Sequence, residues 1–599
     1  MSSLALTMPK PASLLRRVEN GTAGAALLGV AALPLLDLVL RELFQTSLPG
    51  SASYLRNLTL WVGLLGAAVA LRDGRHLMLA RTVGLLPSAL QAPAERMARL
   101  ITAAVLAGLA WAATLFVISE FPTAPMVGLV PLWAFQAIMP AAFLLMILDA
   151  GGEDAPATLG GLALAALIGG AFPQAFSGPY LAVALAVLLV SGSFGAPIFV
   201  VLAGATLLLF LDAEIPAAAL AVEGYRIISM PSLPALVLFT FGGVGLASGG
   251  ASARLVRLSR ALFGWLPGGL ALATVLICAL FTSVTGATGV TILALGGLLF
   301  QILRENGYEE RYALGLITAT GALGLLFPPS LPVILVGVVA HVSILDLFLA
   351  GLLPGLLMVA SVAGYALYKG ARMETARPRF AAGEAAAALW HAKWELVLPA
   401  LLVWGLFGGH MTLLETAAAV AAYALAVELL VHRELSLFGD VPQVLLRSAT
   451  LIGAIFMVLI TAMGLTNYMV DAEVPMRLAS WAGEHVPSRG MFLLIVNLLL
   501  LVVGCFLDIY SAILLVLPLL LPLAERFEVD PLHLGIIFLV NLELGYLTPP
   551  IGLNLFLAAS RFDRPVMAVA RAALPFGLVL IAVLLIVTYV PALTLALVR

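Results

Sequence analysis

The segment Gly321 to Gly337 reads Gly-Ala-Leu-Gly-Leu-Leu-Phe-Pro-Pro-Ser-Leu-Pro-Val-Ile-Leu-Val-Gly, apolar enough for a lipid bilayer yet carrying three prolines. Proline lacks a backbone donor and clashes with the preceding turn, so no helix runs unbroken through Pro328-Pro329. Broken backbone at membrane depth persists only where protein or a water-filled cavity satisfies its polar groups. A second such segment lies near the C-terminus, Glu543-Leu-Gly-Tyr-Leu-Thr-Pro-Pro-Ile-Gly-Leu-Asn554, and both read Leu-Gly-x-Leu-x-Pro-Pro. Paired broken helices in the two halves of a membrane protein point to a transporter's binding site.

The rest of the chain supports a membrane setting. It has 599 residues, 62% hydrophobic and only 10% charged. Apolar runs of bilayer length recur from about residue 21 to the end, which implies an all-α polytopic membrane protein. A β-barrel would show short alternating strands instead. The formal charge of -2 and the absence of a basic tract exclude a nucleic-acid partner. Cys278 and Cys505 both lie in apolar segments and read as packing residues. Lys10, Arg16 and Arg17 precede a run at about 21–40 that is long enough to span. The run reads as an anchor with a cytoplasmic N-terminus; a cleaved signal peptide is the alternative.

Residues 1–150 form one block with spans at about 21–40, 54–71, 97–118 and 128–148. The loop holding Arg72, Arg75, His76, Arg81, Arg96 and Arg99 is basic, whereas 120–128 has no Lys or Arg. That asymmetry puts the basic loop in the cytoplasm. Trp61 and Trp133 suit the membrane interface. Gly151-Gly-Glu-Asp-Ala-Pro156 is a polar break, and 151–178 reads as a linker with one extra crossing at 158–175. The second block, 179–599, holds apolar segments of which several are too short to span alone. Those flanking 328–329 and 549–550 suggest re-entrant hairpins. Lys369, Arg372, Arg377, Arg379 and Lys393 mark a linker between two repeats, about 230–368 and 395–599. Each repeat offers a small polar break (281–289, 504–511), then a Leu-Gly segment, then a Pro-Pro break.

Asp508, in Gly504-Cys-Phe-Leu-Asp-Ile-Tyr-Ser511, is a lone carboxylate in an apolar segment. Such a group costs about 2.5–3.5 kcal/mol at the centre of a span, so it marks a site unless it only caps a helix or snorkels. Ser283, Thr285 and Thr288 bring hydroxyls to a glycine-rich break. Freed carbonyls and hydroxyls make a hard oxygen cage for an alkali cation, and tight helix packing is the plainer reading. Ser330 and Thr548 flank the prolines and can cap the broken helices. Glu415 and Glu543 read as structural, and His76 as interfacial or packing. No His-Glu-x-x-His, Gly-x-Ser-x-Gly or Walker A sequence occurs, so neither catalysis nor ATP hydrolysis is indicated.

These residues resemble the tripartite ATP-independent periplasmic (TRAP) transporters, with the small and large membrane subunits fused. The resemblance rests on Arg254-Leu-Val, Leu266-Pro-Gly-Gly-Leu-Ala271, Gly307-Tyr308, Gly324-Leu-Leu-Phe-Pro-Pro-Ser330, Phe348-Leu-Ala-Gly-Leu-Leu-Pro-Gly355, Phe506-Leu-Asp508 and Gly545-Tyr-Leu-Thr-Pro-Pro-Ile-Gly-Leu-Asn-Leu-Phe556. A weaker set, Arg56, Trp61, Gly74-Arg-His76 and Pro131-Leu-Trp133, resembles the small subunit. The resemblance implies a sodium-driven importer of a small organic acid in the bacterial inner membrane, working as a monomer of the fused chain by an elevator movement. A separate periplasmic binding protein would deliver the substrate, and the small-subunit block would brace the scaffold. By motif position, Ser283, Thr285, Gly286, Thr288, Gly324 and Phe327 would frame one sodium site. Gly504, Asp508, Gly545 and Thr548 would frame a second, and Thr285, Ser330 and Asp508 would lie nearest the substrate. The chain departs from the family's usual hydroxyls at Ala287 and Leu414. The competing readings are a carrier that needs no binding protein and, in another class, a membrane scaffold that transports nothing.

Overall fold

A computed structural model describes residues 14–74, 76, 87–122, 124–128, 130–171, 179–286, 288–373, 379–549 and 552–598. Among them, backbone polar groups are paired almost wholly within helices, as hydrocarbon demands. The first block comprises α1 (Leu14–Phe44), α2 (Ser51–Arg72), α3 (Ser88–Glu120), α4 (Leu132–Gln136) and α5 (Ile138–Glu153). A two-stranded ribbon, β1 (Met126–Val127) and β2 (Val130–Pro131), precedes α4 and pairs Met126 with Pro131. Trp61 is partly buried, and its indole N–H donates to the Phe135 carbonyl at 3.0 Å. It therefore ties α2 to α4. His76 packs as expected, buried with Nε2 2.9 Å from the Ala67 carbonyl oxygen.

The linker begins with α6 (Ala155–Ala166), capped by Asp154, and a π-helical turn over Leu167–Ala171. Gly161 lets α6 lie on α3, since a Cβ there would sit 2.4 Å from the Leu100 carbonyl oxygen. Residues 172–175 of the predicted crossing at 158–175 lie outside the described residues. The apolar residues 180–211 lie in two helices, α7 (Pro179–Ser193) and α8 (Ile198–Asp212), which pack together where Leu188 meets Gly204. Gly195, at φ 103, and Pro197 divide them.

α9 (Ala218–Ile228) meets α10 (Leu233–Ser248) at a 64° bend. A series then begins with α10. It continues with the short amphipathic α11 (Ala251–Phe263), α12 (Gly269–Thr285), α13 (Thr288–Glu305), α14 (Glu310–Thr320), α15 (Leu331–Ala340) and α16 (Ile344–Ala371). Two helices intervene, α17 (Ala382–Leu402) and α18 (Leu413–Ala426), each ending in a π-helical turn. The same series follows in α19 (Val441–Asp471), the short amphipathic α20 (Val474–His485), α21 (Arg489–Phe506), α22 (Ile509–Arg526), α23 (Pro531–Gly545), α24 (Leu553–Phe562) and α25 (Val566–Tyr589), before the terminal α26 (Ala592–Leu595). By length and apolarity, 11 of the described helices can cross a membrane, or 12 if the bent α9–α10 pair is one span.

The ends of these helices define two faces. On one, a Cβ on Gly370, at the end of α16, would lie 3.0 Å from Gly268 and 3.3 Å from the Tyr308 ring. The start of α12 and the end of α13 therefore share that face. So do the starts of α14 and α25, where Arg564 pairs with Glu310 at 2.7 Å. On the other face, the Tyr589 hydroxyl donates to the Gly490 carbonyl at 3.2 Å, and the Phe492 and Phe527 rings stack at 4.5 Å. The end of α25, the start of α21 and the end of α22 meet there, joined by His533 of α23, whose Nδ1 lies 2.8 Å from Thr594 Oγ1. The 24 residues of α25 separate the two faces by about 36 Å at 1.5 Å per residue. The pairs α12–α13 and α21–α22 thus open on opposite faces. Their packing is exchanged symmetrically, α13 lying on α24 and α22 on α15. The two series are inverted copies.

The first block docks on the second series by its backbone. α2 lies along α19, where a Cβ on Gly66 would fall 1.9 Å from the Ala449 carbonyl oxygen and one on Gly453 would fall 2.0 Å from Ala67 N. Small residues at both positions permit that approach, as in other membrane helix pairs.

Candidate functional site

Within each series the first arm of the helix pair touches the first half of the broken helix through a glycine. A Cβ on Gly324, just beyond α14, would sit 2.2 Å from the Ala279 carbonyl oxygen and 2.6 Å from Ser283 N, both on α12. In the inverted copy, a Cβ on Gly545 of α23 would fall 2.5 Å from the Gly504 Cα of α21. No side chain fits at either place. Phe327 turns its ring away, against Gly355 of α16.

The tip between α12 and α13 turns at Gly286, in the left-handed region at φ 67. Its hydroxyls are buried and bonded locally: Ser283 Oγ donates to the Leu280 carbonyl at 2.8 Å and Thr285 Oγ1 to the Phe281 carbonyl at 2.8 Å. Thr288 is buried as well. Thr282 braces the tip, with Oγ1 2.7 Å from Thr291 Oγ1 and donating to the Gly321 carbonyl at 3.0 Å. Ala287 lies outside the described residues.

The tip between α21 and α22 turns at Leu507-Asp508. Asp508 is the N-cap of α22: Oδ1 accepts from Tyr510 N at 3.0 Å and Ser511 N at 3.1 Å, and Oδ2 accepts from the Ser511 hydroxyl. A cap of this kind answers donors that a helix start leaves open. Ser330 plays the same part for α15, fully buried, with Oγ accepting from Val333 N at 3.5 Å. Thr548 Oγ1 donates to the Leu544 carbonyl at 2.9 Å. The Pro328-Pro329 peptide bond is cis, and Pro550 lies outside the described residues.

Two tyrosines join these parts. Tyr546, buried beyond Gly545, accepts at its hydroxyl from Ile509 N at 2.5 Å and so binds the broken helix to the second tip. Tyr510 reaches across the inverted copies, its hydroxyl donating to the Gly286 carbonyl at 3.3 Å. Neither was singled out by sequence, because both bonds are long-range. Leu331 at the start of α15 also packs under Gly286, where a Cβ would meet its Cγ at 2.8 Å. Gly324 thus lies against the arm of the first tip and Gly545 against that of the second, and the two tips are in contact through Tyr510 and Gly286.

Three further polar features line the broken helices. Asn541 Nδ2 donates to Asn497 Oδ1 at 2.7 Å, and Asn497 Nδ2 to Thr588 Oγ1 at 3.1 Å, which ties α23, α21 and α25. Glu415, by contrast, is structural as expected: it completes a capping box with Thr412 and pairs with Arg41 at 2.7 Å. Glu543 is 1% exposed, and among the described residues neither carboxylate oxygen has a hydrogen-bond partner. Asn554 is likewise fully buried, with both amide atoms unpaired among the described residues.

Two family models match the chain. The DctM component of the tripartite ATP-independent periplasmic transporters matches residues 182–593, and the DctQ component residues 30–153. The C4-dicarboxylate TRAP transporter large permease protein of Pseudomonas aeruginosa is 36% identical over 394 residues, covering 65% of this chain and 91% of that protein. The sialic acid TRAP transporter permease of Haemophilus influenzae is 26% identical over 606 residues, covering 96% of this chain and 98% of that one. An isethionate TRAP permease of Oleidesulfovibrio alaskensis is 36% identical over 373 residues, 61% of this chain and 58% of its own length. The chain therefore belongs to the tripartite ATP-independent periplasmic transporters, as a multi-pass permease of the bacterial inner membrane, not an enzyme, with the small and large components fused in one polypeptide.

Proposed function

We propose that this permease imports a small organic acid down a sodium gradient, taking it from a separate periplasmic binding protein, and that it moves the site by an elevator mechanism. TRAP permeases work with such a binding protein. The observation that carries the reading is the meeting of two inverted tips, joined by the Tyr510–Gly286 bond and each framed by a glycine contact. The pairs α12–α13 and α21–α22 act as re-entrant hairpins, and with α14–α15 and α23–α24 they form the moving body. Residues 1–150, the linker 151–178 and the remaining helices of 179–599 form the scaffold, with α2 locked on α19. The functional repeats then run from about 230–368 and within 395–599.

The donor set fits a hard monovalent cation. Ser283, Thr285, Gly286, Thr288, Gly324 and Phe327 supply backbone and hydroxyl oxygens for one sodium ion, and Gly504, Asp508, Gly545 and Thr548 for a second. Bound sodium supplies the positive charge that an anionic substrate needs beside Thr285, Ser330 and Asp508. Charge also orients the chain. Arg304, Arg311, Lys369, Arg564 and Arg571 gather on the face where α12 begins, so that face is cytoplasmic by the positive-inside rule. The second hairpin opens to the periplasm.

The test is uptake into proteoliposomes of a panel of organic acids with the cognate binding protein. Uptake should need both the partner and an inward sodium gradient. Full uptake with either omitted overturns the reading.

A further inference from the structure

α24 and α13 run side by side in the same direction. A Cβ on Gly289 would meet Leu557 at 2.8 Å, one on Gly296 would meet Phe562 at 3.2 Å, and one on Gly297 would meet Arg561 at 2.3 Å. The stripe of α24 that faces α13 is therefore Leu557 and Arg561, and three residues before Leu557 the same stripe holds Asn554. Gly286 of the first tip lies just before the start of α13 at Thr288. Asn554, in the first turn of α24, therefore lies at the end of the packed α13–α24 pair that is nearest the tip.

Its side chain is fully buried, and among the described residues neither Oδ1 nor Nδ2 has a hydrogen-bond partner. A buried carboxamide left unpaired costs about 1–3 kcal/mol per group, and a residue kept only for packing would be apolar. Exchanging oxygen for nitrogen by rotating the amide changes nothing, because both atoms are open. The side chain is complete only when something at the tip takes its oxygen. The groups already at the tip are backbone carbonyls and hydroxyls, an oxygen-only environment that adds up to a cation shell.

We propose that Asn554 is a ligand of the sodium ion at the first tip, contributing Oδ1 from the opposite repeat to the oxygens of Thr285, Gly286 and Thr288. The ion would then bridge both copies. The amide nitrogen, also open, is placed to donate to the anion that accompanies the ion. The inference rests on the sodium reading above and adds a residue to it.

The test uses the purified full chain in detergent, titrated with sodium chloride against choline chloride at constant ionic strength, with thermal unfolding as readout. Wild type should rise in melting temperature with sodium. Asn554→Leu, close in volume but without oxygen, should raise the half-saturating sodium concentration by about tenfold or more. Asn554→Asp, which keeps an oxygen in place, should titrate at the same or lower sodium. If the leucine variant fails to fold, Asn554→Thr, whose oxygen is too short to reach, takes its place with the same expected loss. An undiminished sodium response in the Leu or Thr variant overturns the inference, as does a lost response in the Asp variant. A wild type that ignores sodium overturns the sodium reading itself, a separate outcome.

Discussion

The Asp508 carboxylate accepts two backbone N–H groups and a hydroxyl at the start of α22, so its substitution changes folding and transport together unless the variant is chosen to separate them. Asn caps a helix about as well as Asp, whereas Ala gives up about 0.5–2 kcal/mol. Asp508→Asn is expected to keep wild-type thermal stability and lose uptake, because it removes the charge and keeps the cap. Asp508→Ala is expected to lose uptake and melt lower. An Asn variant that transports at the wild-type rate would reduce Asp508 to its capping role. Gly545 is a purely steric case. A methyl there would lie 2.5 Å from Gly504 Cα, with backbone on both sides and nothing flexible to yield. Gly545→Ala is expected to destabilise by at least about 1–3 kcal/mol, the usual range for overpacking, and to impair uptake. A wild-type melting temperature would show that α21 and α23 can part without cost.

Among the elements, α11 is the best-anchored connection to the first hairpin. Arg254 holds Glu395 of α17 at 2.5 Å, Glu428 at 2.7 Å and Glu434 at 2.7 Å, and Glu434 also accepts from Gly250 N at the helix start. Glu395 and Glu428 are buried, so Arg254→Gln leaves Glu428 without its cation and Glu395 with only His432, 3.4 Å away. The loss is expected at about 3–5 kcal/mol, the usual cost of breaking a buried pair, and thermal unfolding reads it. Glu434 is 40% exposed at its side chain, and Glu434→Gln is expected to change stability by only about 1 kcal/mol or less. The helices that cross the bundle were legible in the sequence, because length and apolarity decide them. The Pro-Pro breaks were legible because proline cannot continue a helix. α11 and α20 were not, since 13 and 12 residues fall short of a bilayer and their charges disguise a half-apolar face. Arg254, Arg257 and Arg260, three apart, were the available signal for α11. The division of 180–211 could have been read from Gly195 and Pro197. The cap at Asp508 was legible from its local spacing. The bonds of Tyr510 and Tyr546 were not, because they join residues 224 and 37 positions apart.

For the whole molecule, inversion is the property that turns two similar halves into a transporter. One helix pair opens on each face and their tips meet at the Tyr510–Gly286 bond; in the proposed mechanism they share one site. The fused first block adds a scaffold held by backbone contact along α2 and α19, which a soft side-chain interface would not keep rigid. In the proposed elevator mechanism the moving body slides as a unit beside that scaffold. The most direct test is whether the shared site faces both sides in turn. In a chain with Cys278 and Cys505 replaced by alanine, Thr548→Cys places a thiol at the half-buried edge of the candidate site. A membrane-impermeant maleimide should label it in both right-side-out and inside-out vesicles, with labelling suppressed by sodium together with the transported acid. Labelling from one side only, whatever the sodium gradient, would contradict a site that moves between the faces.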